Sequence, residues 1–137
     1  MGAPTLHHIG YVVPSIAAVG TRFAKSLGAT WDERIIHDPL QKVSVSFLAP
    51  FIESAAQIEL VEPAGDDSPV LAFLQRGGGL HHLCYEVDHL DLHMEQMRAQ
   101  GSKPVRLPLP AVAFDGRQIA WMLTRDRLLL EFLERAG

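Results

Sequence analysis

Four side chains in this sequence have the types and spacing to do chemistry together: His8, Glu59, His82 and Glu131. They come as two copies of one pair. His8 sits in LHHIGYVV, opening at Leu6, and His82 in LHHLCYEV, opening at Leu80, so the histidines are 74 positions apart. Glu59 lies in QIELVE and Glu131 in LLLEFL, 72 positions apart, each bracketed by two apolar residues. Two imidazoles and two carboxylates form an N2O2 donor set. Such a set suits a borderline divalent ion: Co, Ni, Mn, Zn or Fe.

Strand alternation decides whether the four can meet. Successive side chains on a strand point to opposite faces. In LHHIGYVV, His7, Ile9, Tyr11 and Val13 share one face, and His8, Gly10 and Val12 share the other. The repeat divides alike: His81, Leu83, Tyr85 and Val87 against His82, Cys84 and Glu86. The bulky face is expected under a helix, which leaves His8 and His82 beside small neighbours. Ile58 and Leu60 bracket Glu59, and Leu130 and Phe132 bracket Glu131. If those neighbours face helices, the carboxylates share the side of the histidines. The competing reading is plain. A His pair at a strand start is usually a surface feature, and a Glu in an apolar run can guard an edge strand. The matched doubling favours the metal reading, because ionisable groups on core-like strands cost free energy unless paired or ligated.

The elements that must position these residues follow from the same repeat. After each His strand comes a polar start, an amphipathic stretch and a glycine stop, the usual helix punctuation. The spacing predicts helices over Ser15–Leu27, stopped by Gly28, and about Asp88–Gln100, stopped by Gly101. Strands are expected over Lys42–Ala49, Gln57–Glu62, Arg117–Thr124 and Leu128–Leu133. The chain reads as two β-α-β-β-β units in an α+β fold. Module one spans about 5–63, a linker about 64–79, and module two about 80–134, in one domain over 1–137. Ser68 and Pro69 suit the start of a short helix to Gln75. Gly77–Gly79 reads as a flexible linker and not a phosphate cradle, because it precedes a strand. Pro104–Gly116 is proline-punctuated and expected to be loop-like, with edge pairing at most.

Composition sets the outer limits. The chain has 137 residues, 47% hydrophobic and 20% charged, enough for one ordinary core. A net charge of −4 disfavours a nucleic-acid binder. No apolar run approaches the roughly 18–20 residues of a membrane span, and the opening residues show no secretory pattern. The single Cys84 cannot form an internal disulfide, so a cytoplasmic setting is expected. No G-x-S-x-G elbow is present, and Cys84 has no evident base, so a hydrolase triad lacks support. His37, His89 and His93 are expected to face solvent. Gln41, Tyr85 and Gln118 are candidates to touch substrate. Arg117 is either a fourth or a solvated strand-end residue.

With these residues in place, the sequence resembles the vicinal oxygen chelate superfamily (glyoxalase, bleomycin resistance, dioxygenase), and within it the methylmalonyl-CoA epimerases. The matching pieces are the HHIG start at His7–Gly10, the IELVEP strand at Ile58–Pro63, and the DSP segment at Asp67–Pro69. The GLHHLCYEVD strand at Gly79–Asp88 and the LLEF ending at Leu129–Phe132 complete them. The resemblance implies a half-open eight-stranded mixed barrel, often within a homodimer. It puts metal ligands at His8, Glu59, His82 and Glu131, with Glu131 as catalytic base. The implied chemistry is proton transfer through a metal-stabilised enolate, on an acyl-CoA, acyl-carrier thioester or related carbonyl. A glyoxalase I-like lyase and a non-catalytic binding protein of the resistance type are the alternatives. An extradiol dioxygenase fits less well, because Glu59 would fill a position its iron leaves open. The pattern departs at Leu40, where the epimerases carry a Glu that serves as base on one substrate face. Asp38 and His37 are the titratable residues nearest that position.

Overall fold

The structure is a computed structural model and describes residues 2–50, 52 and 55–137. The described residues form nine strands, three α-helices and one 3-10 turn. They group into two compact units, His8–His81 and a second made of His82–Gly137 with the segment up to His7.

In the first unit, β1 (Thr5–Val12) leads through Ser15 to α1 (Ile16–Leu27). The Ser15 hydroxyl accepts from the Ala18 N–H, and Gly28 closes the helix in the left-handed region at φ 62°. That serine start and glycine stop are what the sequence pattern predicts. Four strands follow: β2 (Thr30–Trp31), β3 (Ile36–Asp38), β4 (Val43–Ala49) and β5 (Gln57–Pro63). Within the unit the strand order is β2-β4-β5-β1, with β3 also on β4. β5 runs parallel to β1 and antiparallel to β4. Two short strands, β2 and β3, therefore stand where one was expected, and the total is nine instead of eight. The core joins Val13, Ile16, Ala24, Leu48 and Leu60, with Tyr11, Phe23, Trp31 and Ile58 packed against it. Gly20 is required here, because a Cβ would lie 2.5 Å from the Trp31 ring.

The segment after β5 departs from expectation twice. Helix α2 covers only Leu71–Gln75 with Val70 at its N-cap, while Ser68 makes a preceding turn through its carbonyl to the Leu71 N–H. Gly77–Gly79 is a built turn and not a free linker. All three glycines have positive φ, and a Cβ on Gly78 would stand 2.8 Å from the Val12 carbonyl oxygen.

In the second unit, β6 (Gly79–Val87) leads to α3 (Leu90–Ala99), then β7 (Lys103–Pro110), β8 (Gln118–Leu123) and β9 (Leu129–Glu134). The order is β6-β9-β8-β7, with β9 parallel to β6 and antiparallel to β8. Its core joins Val87, Leu90, Met94, Ala120, Met122, Leu130 and Phe132, with Leu83 and Tyr85 packed against it. Helix α3 starts two residues later than predicted. His89 occupies the N-cap without a side-chain hydrogen bond, and the Leu90 N–H donates to Glu134 Oε2 at 3.0 Å. The first unit repeats this device, with the Ile16 N–H donating to Glu62 Oε1 at 3.0 Å. The Pro104–Pro110 stretch is not a loop. It lies in strand β7, paired antiparallel with β8 through two register shifts and mostly exposed, as prolines on an edge require.

The bulky faces of β1 and β6 lie as alternation dictates. Tyr11 meets Phe23 of α1 edge-on, and Leu83 and Tyr85 join the α3 cluster. Glu59 and Glu131 do not guard edges, because β5 and β9 each have a hydrogen-bonded neighbour on both sides.

Candidate metal centre

Each unit carries one half of the predicted donor set. In the first, His8 is fully buried and Glu59 is 5% exposed. Parallel pairing sets Gly10 against Glu59, and His8 lies on the same side of β1 as Gly10. His8 Nε2 stands 3.4 Å from Glu59 Oε1. In the second, His82 is 4% exposed and Glu131 3%. Cys84 is in register with Glu131, and His82 Nε2 stands 3.4 Å from Glu131 Oε1. The two pairs reproduce each other in residue type, burial and distance.

That distance tests whether the pairs fit a metal. Charge-assisted N–H···O contacts close to about 2.7–2.9 Å, so 3.4 Å is long for a structural ion pair. Two ligand atoms each about 2.1 Å from one ion stand about 3.0 Å apart at an octahedral angle and about 3.4 Å at a tetrahedral one. The nitrogen and oxygen donors suit the borderline ions named above. Each pair thus has the spacing of two neighbouring ligands, and the residues fit the ion the sequence implies.

An aromatic ring accompanies each pair, which the sequence reading missed. Phe47 on β4 is the register partner of Glu59, and its ring meets the His8 imidazole edge-on, centroids 5.6 Å apart. Trp121 on β8 is the register partner of Glu131, and its ring meets the His82 imidazole edge-on at 4.6 Å. Phe47 and Trp121 are 74 positions apart, the offset of the histidines. That offset is the signal that could have found them. Cys84 is a buried thiol two residues from His82.

The other candidates fall elsewhere. Tyr85 packs with the α3 cluster, on the face opposite His82. Gln118 opens β8, exposed, on the same side of the strand as Ala120 and Met122. Gln41 stays in its turn, with Nε2 donating to Asp38 Oδ2 at 2.8 Å. Asp38 is 2% exposed, and its Oδ1 accepts from the N–H groups of Leu40 and Gln41. Both its oxygens therefore serve the turn. His37 is exposed, with Nδ1 3.4 Å from Ser44 Oγ, and Leu40 is half exposed. Arg117 is tied to structure: its guanidinium contacts Glu86 at 3.1 Å, donates to the Glu134 carbonyl and lies over the Phe114 ring. His89 faces solvent, but His93 does not. It is half-buried with its ring 4.5 Å from Phe132, and burial holds its imidazole below the usual histidine range. No helix among the described residues is long and apolar enough to cross a membrane.

Known proteins share this pattern. The family model for the glyoxalase/bleomycin resistance protein/dioxygenase superfamily matches residues 7–121. An ethylmalonyl-CoA/methylmalonyl-CoA epimerase of Cereibacter sphaeroides is 27% identical over 88% of this chain and 89% of its own. An uncharacterised Bacillus subtilis protein, YqjC, is 33% identical over 96% of this chain and 93% of its own. The mouse mitochondrial methylmalonyl-CoA epimerase is 34% identical over 69% of this chain, which spans only 54% of that protein. Among solved structures, the methylmalonyl-CoA epimerase of Mycobacterium tuberculosis superposes with a TM-score of 0.82 at 26% identity, over 100% of this chain and 94% of that one. The α+β arrangement described above is thus the glyoxalase-like fold, and this chain belongs to the glyoxalase/bleomycin resistance/dioxygenase superfamily.

Proposed function

We propose that His8, Glu59, His82 and Glu131 hold one divalent metal ion, and that the protein transfers a proton beside the carbonyl of an acyl-CoA thioester. The observation that carries this reading is the duplicated buried His–Glu pair at 3.4 Å. Each of the four residues offers one ligand atom. A divalent ion bound there supplies Lewis acidity toward oxygens of the acyl group. The chain's own part is to exclude water around the four ligands and to present Glu131 as the base. Its carboxylate takes the α-proton, the C–H electrons move toward the thioester carbonyl, and the proton returns from the same carboxylate. The acyl-CoA class follows from the epimerases to which the chain is similar.

One observation favours proton exchange on a single face over full epimerisation. Inversion needs a proton donor on the face opposite the base. Leu40 carries no titratable group, and both oxygens of Asp38 are engaged in its own turn. A cytoplasmic setting and a homodimer belong to the same reading, and gel filtration tests the second. The main test has two parts. Elemental analysis should find about one equivalent of divalent metal in wild type and little in His82→Ala. Metal-loaded protein in deuterium oxide should then place deuterium at the α-carbon of methylmalonyl-CoA or ethylmalonyl-CoA, and Glu131→Gln should not. Wild type that takes up no Co, Ni, Mn or Zn would refute the proposal. Metal uptake with no exchange on any acyl-CoA would leave a binding protein.

A further inference from the structure

We infer that Phe47 and Trp121 are positioning residues that fix the imidazole planes of His8 and His82 for metal binding. The inference rests on the metal reading above and adds two residues to it. An imidazole on a strand has a broad second side-chain torsion, so something must hold its plane if Nε2 is to stay aimed. Each histidine meets a ring edge-on, Phe47 at 5.6 Å and 73° to His8, Trp121 at 4.6 Å and 81° to His82. Each ring is also the direct cross-strand partner of the Glu that completes the pair. Cross-strand partners have Cβ atoms about 4.5–5.5 Å apart on one face, so each half of the set is a triad of His, Glu and aromatic.

These rings lie outside the two helix-side clusters. Leu48, beside Phe47, belongs to the α1 cluster, and Ala120 and Met122, flanking Trp121, belong to the α3 cluster. Alternation puts Phe47 and Trp121 on the opposite face, and both are half-buried. Each ring shares its strand face with a buried aliphatic residue, Val45 for Phe47 and Ile119 for Trp121, and in addition meets the histidine of its pair edge-on.

Trp121 also supplies the readout. The chain has two tryptophans, and Trp31 lies with the α1 cluster, its indole N–H bonded to Ser46 Oγ. In a Trp31→Phe background, Co(II) titration should quench Trp121 emission saturably at about one equivalent. Co(II) affinity is then measured by calorimetry for Trp121→Leu, Trp121→Phe and Phe47→Leu, with thermal melts confirming that each variant folds. Groups that orient a metal-ligating side chain without touching the metal are typically worth about 10–100-fold in affinity. Trp121→Leu should weaken Co(II) binding about tenfold or more, and Trp121→Phe should restore it to within about threefold. Phe47→Leu should weaken it less, given the wider ring separation. Folded Trp121→Leu protein that binds Co(II) within twofold of wild type overturns this role and leaves the metal site standing. Wild type that binds no Co(II) overturns both.

Discussion

Glu131→Gln separates a metal ligand from half of a structural ion pair. Glu131 is 3% exposed and its oxygen stands 3.4 Å from His82 Nε2. If the two formed a structural buried ion pair, neutralising one partner would cost about 3–5 kcal/mol. For 137 residues at about 2.1 cal/mol/K each, the unfolding entropy is about 0.29 kcal/mol/K, so that loss lowers Tm by about 10–17 °C. The spacing argues for the other case. At 3.4 Å the pair is too open for a strong charge-assisted bond, and burying the carboxylate without an ion carries its own penalty. With EDTA present, Glu131→Gln should melt within about 3 °C of wild type. Metal at 100 times its Kd contributes about 2.7 kcal/mol, a rise of about 9 °C in wild type. If the variant binds 100-fold more weakly, the same metal contributes about 0.4 kcal/mol, a rise of only 1–2 °C. Differential scanning calorimetry with and without Co, Ni, Mn and Zn reads both quantities. A drop of 10 °C or more in EDTA, with the metal-dependent rise intact, would refute the ligand assignment.

Three further outcomes follow from the packing. Glu62→Ala and Glu134→Ala each remove a carboxylate from a helix N-terminus, so each should cost about 1 kcal/mol, or 3–4 °C in Tm, with metal stoichiometry unchanged by elemental analysis. Gly78→Ala forces a side chain into φ 69° with its Cβ 2.8 Å from a backbone carbonyl, so chemical denaturation should show a loss of more than about 1 kcal/mol. His93 is held below its ordinary value of 6.5 by burial, so the unfolded chain takes up its proton first. Its contribution to stability is complete above about pH 6.5 and is lost as pH falls through the lower folded value. Wild type should therefore lose more stability than His93→Gln between pH 7 and 5, and an NMR titration of the His93 ring should give a midpoint below 6.5.

Local signals in the sequence carried the strands of the two histidines and two glutamates and the first helix. Ser15 and Gly28 bound α1 because a hydroxyl and a left-handed glycine act on their own neighbours. The features that escaped depend on partners distant in the chain. Helix α3 starts at Leu90 because Glu134, at the far end of β9, accepts its first N–H. Gly78 must be glycine because a Cβ there would meet the Val12 carbonyl oxygen, which no window around residue 78 contains. Pro104–Pro110 could be assigned to an edge strand only once β8 was there to pair with it. Phe47 and Trp121 read as ordinary strand aromatics until their register opposite Glu59 and Glu131 is known. His93 looked solvent-facing on its helix because Phe132 comes from another strand.

The two acids on β5 and the two on β9 divide between the faces of their strands, and the proposed function gives each face its own task. Glu59 and Glu62 are three residues apart on β5, as are Glu131 and Glu134 on β9. An odd separation on a strand places side chains on opposite faces. Glu62 and Glu134 accordingly reach the helix side, where they accept from Ile16 and Leu90. Glu59 and Glu131 turn the other way, toward His8 and His82. The helix-facing acid compensates orphan N–H groups and the positive end of the helix dipole, so its value is realised in the metal-free fold. Under the proposed function the other acid is a metal ligand, so its value would be realised when metal binds. Glu62→Ala combined with Glu59→Gln should therefore lower the metal-free Tm by the Glu62 increment alone and lower metal affinity by the Glu59 increment alone. Additivity within about 0.5 kcal/mol in both measurements is the expected result. A coupling energy above that would mean that the cap and the ligand share one structural element, and that the two faces of β5 do not act independently.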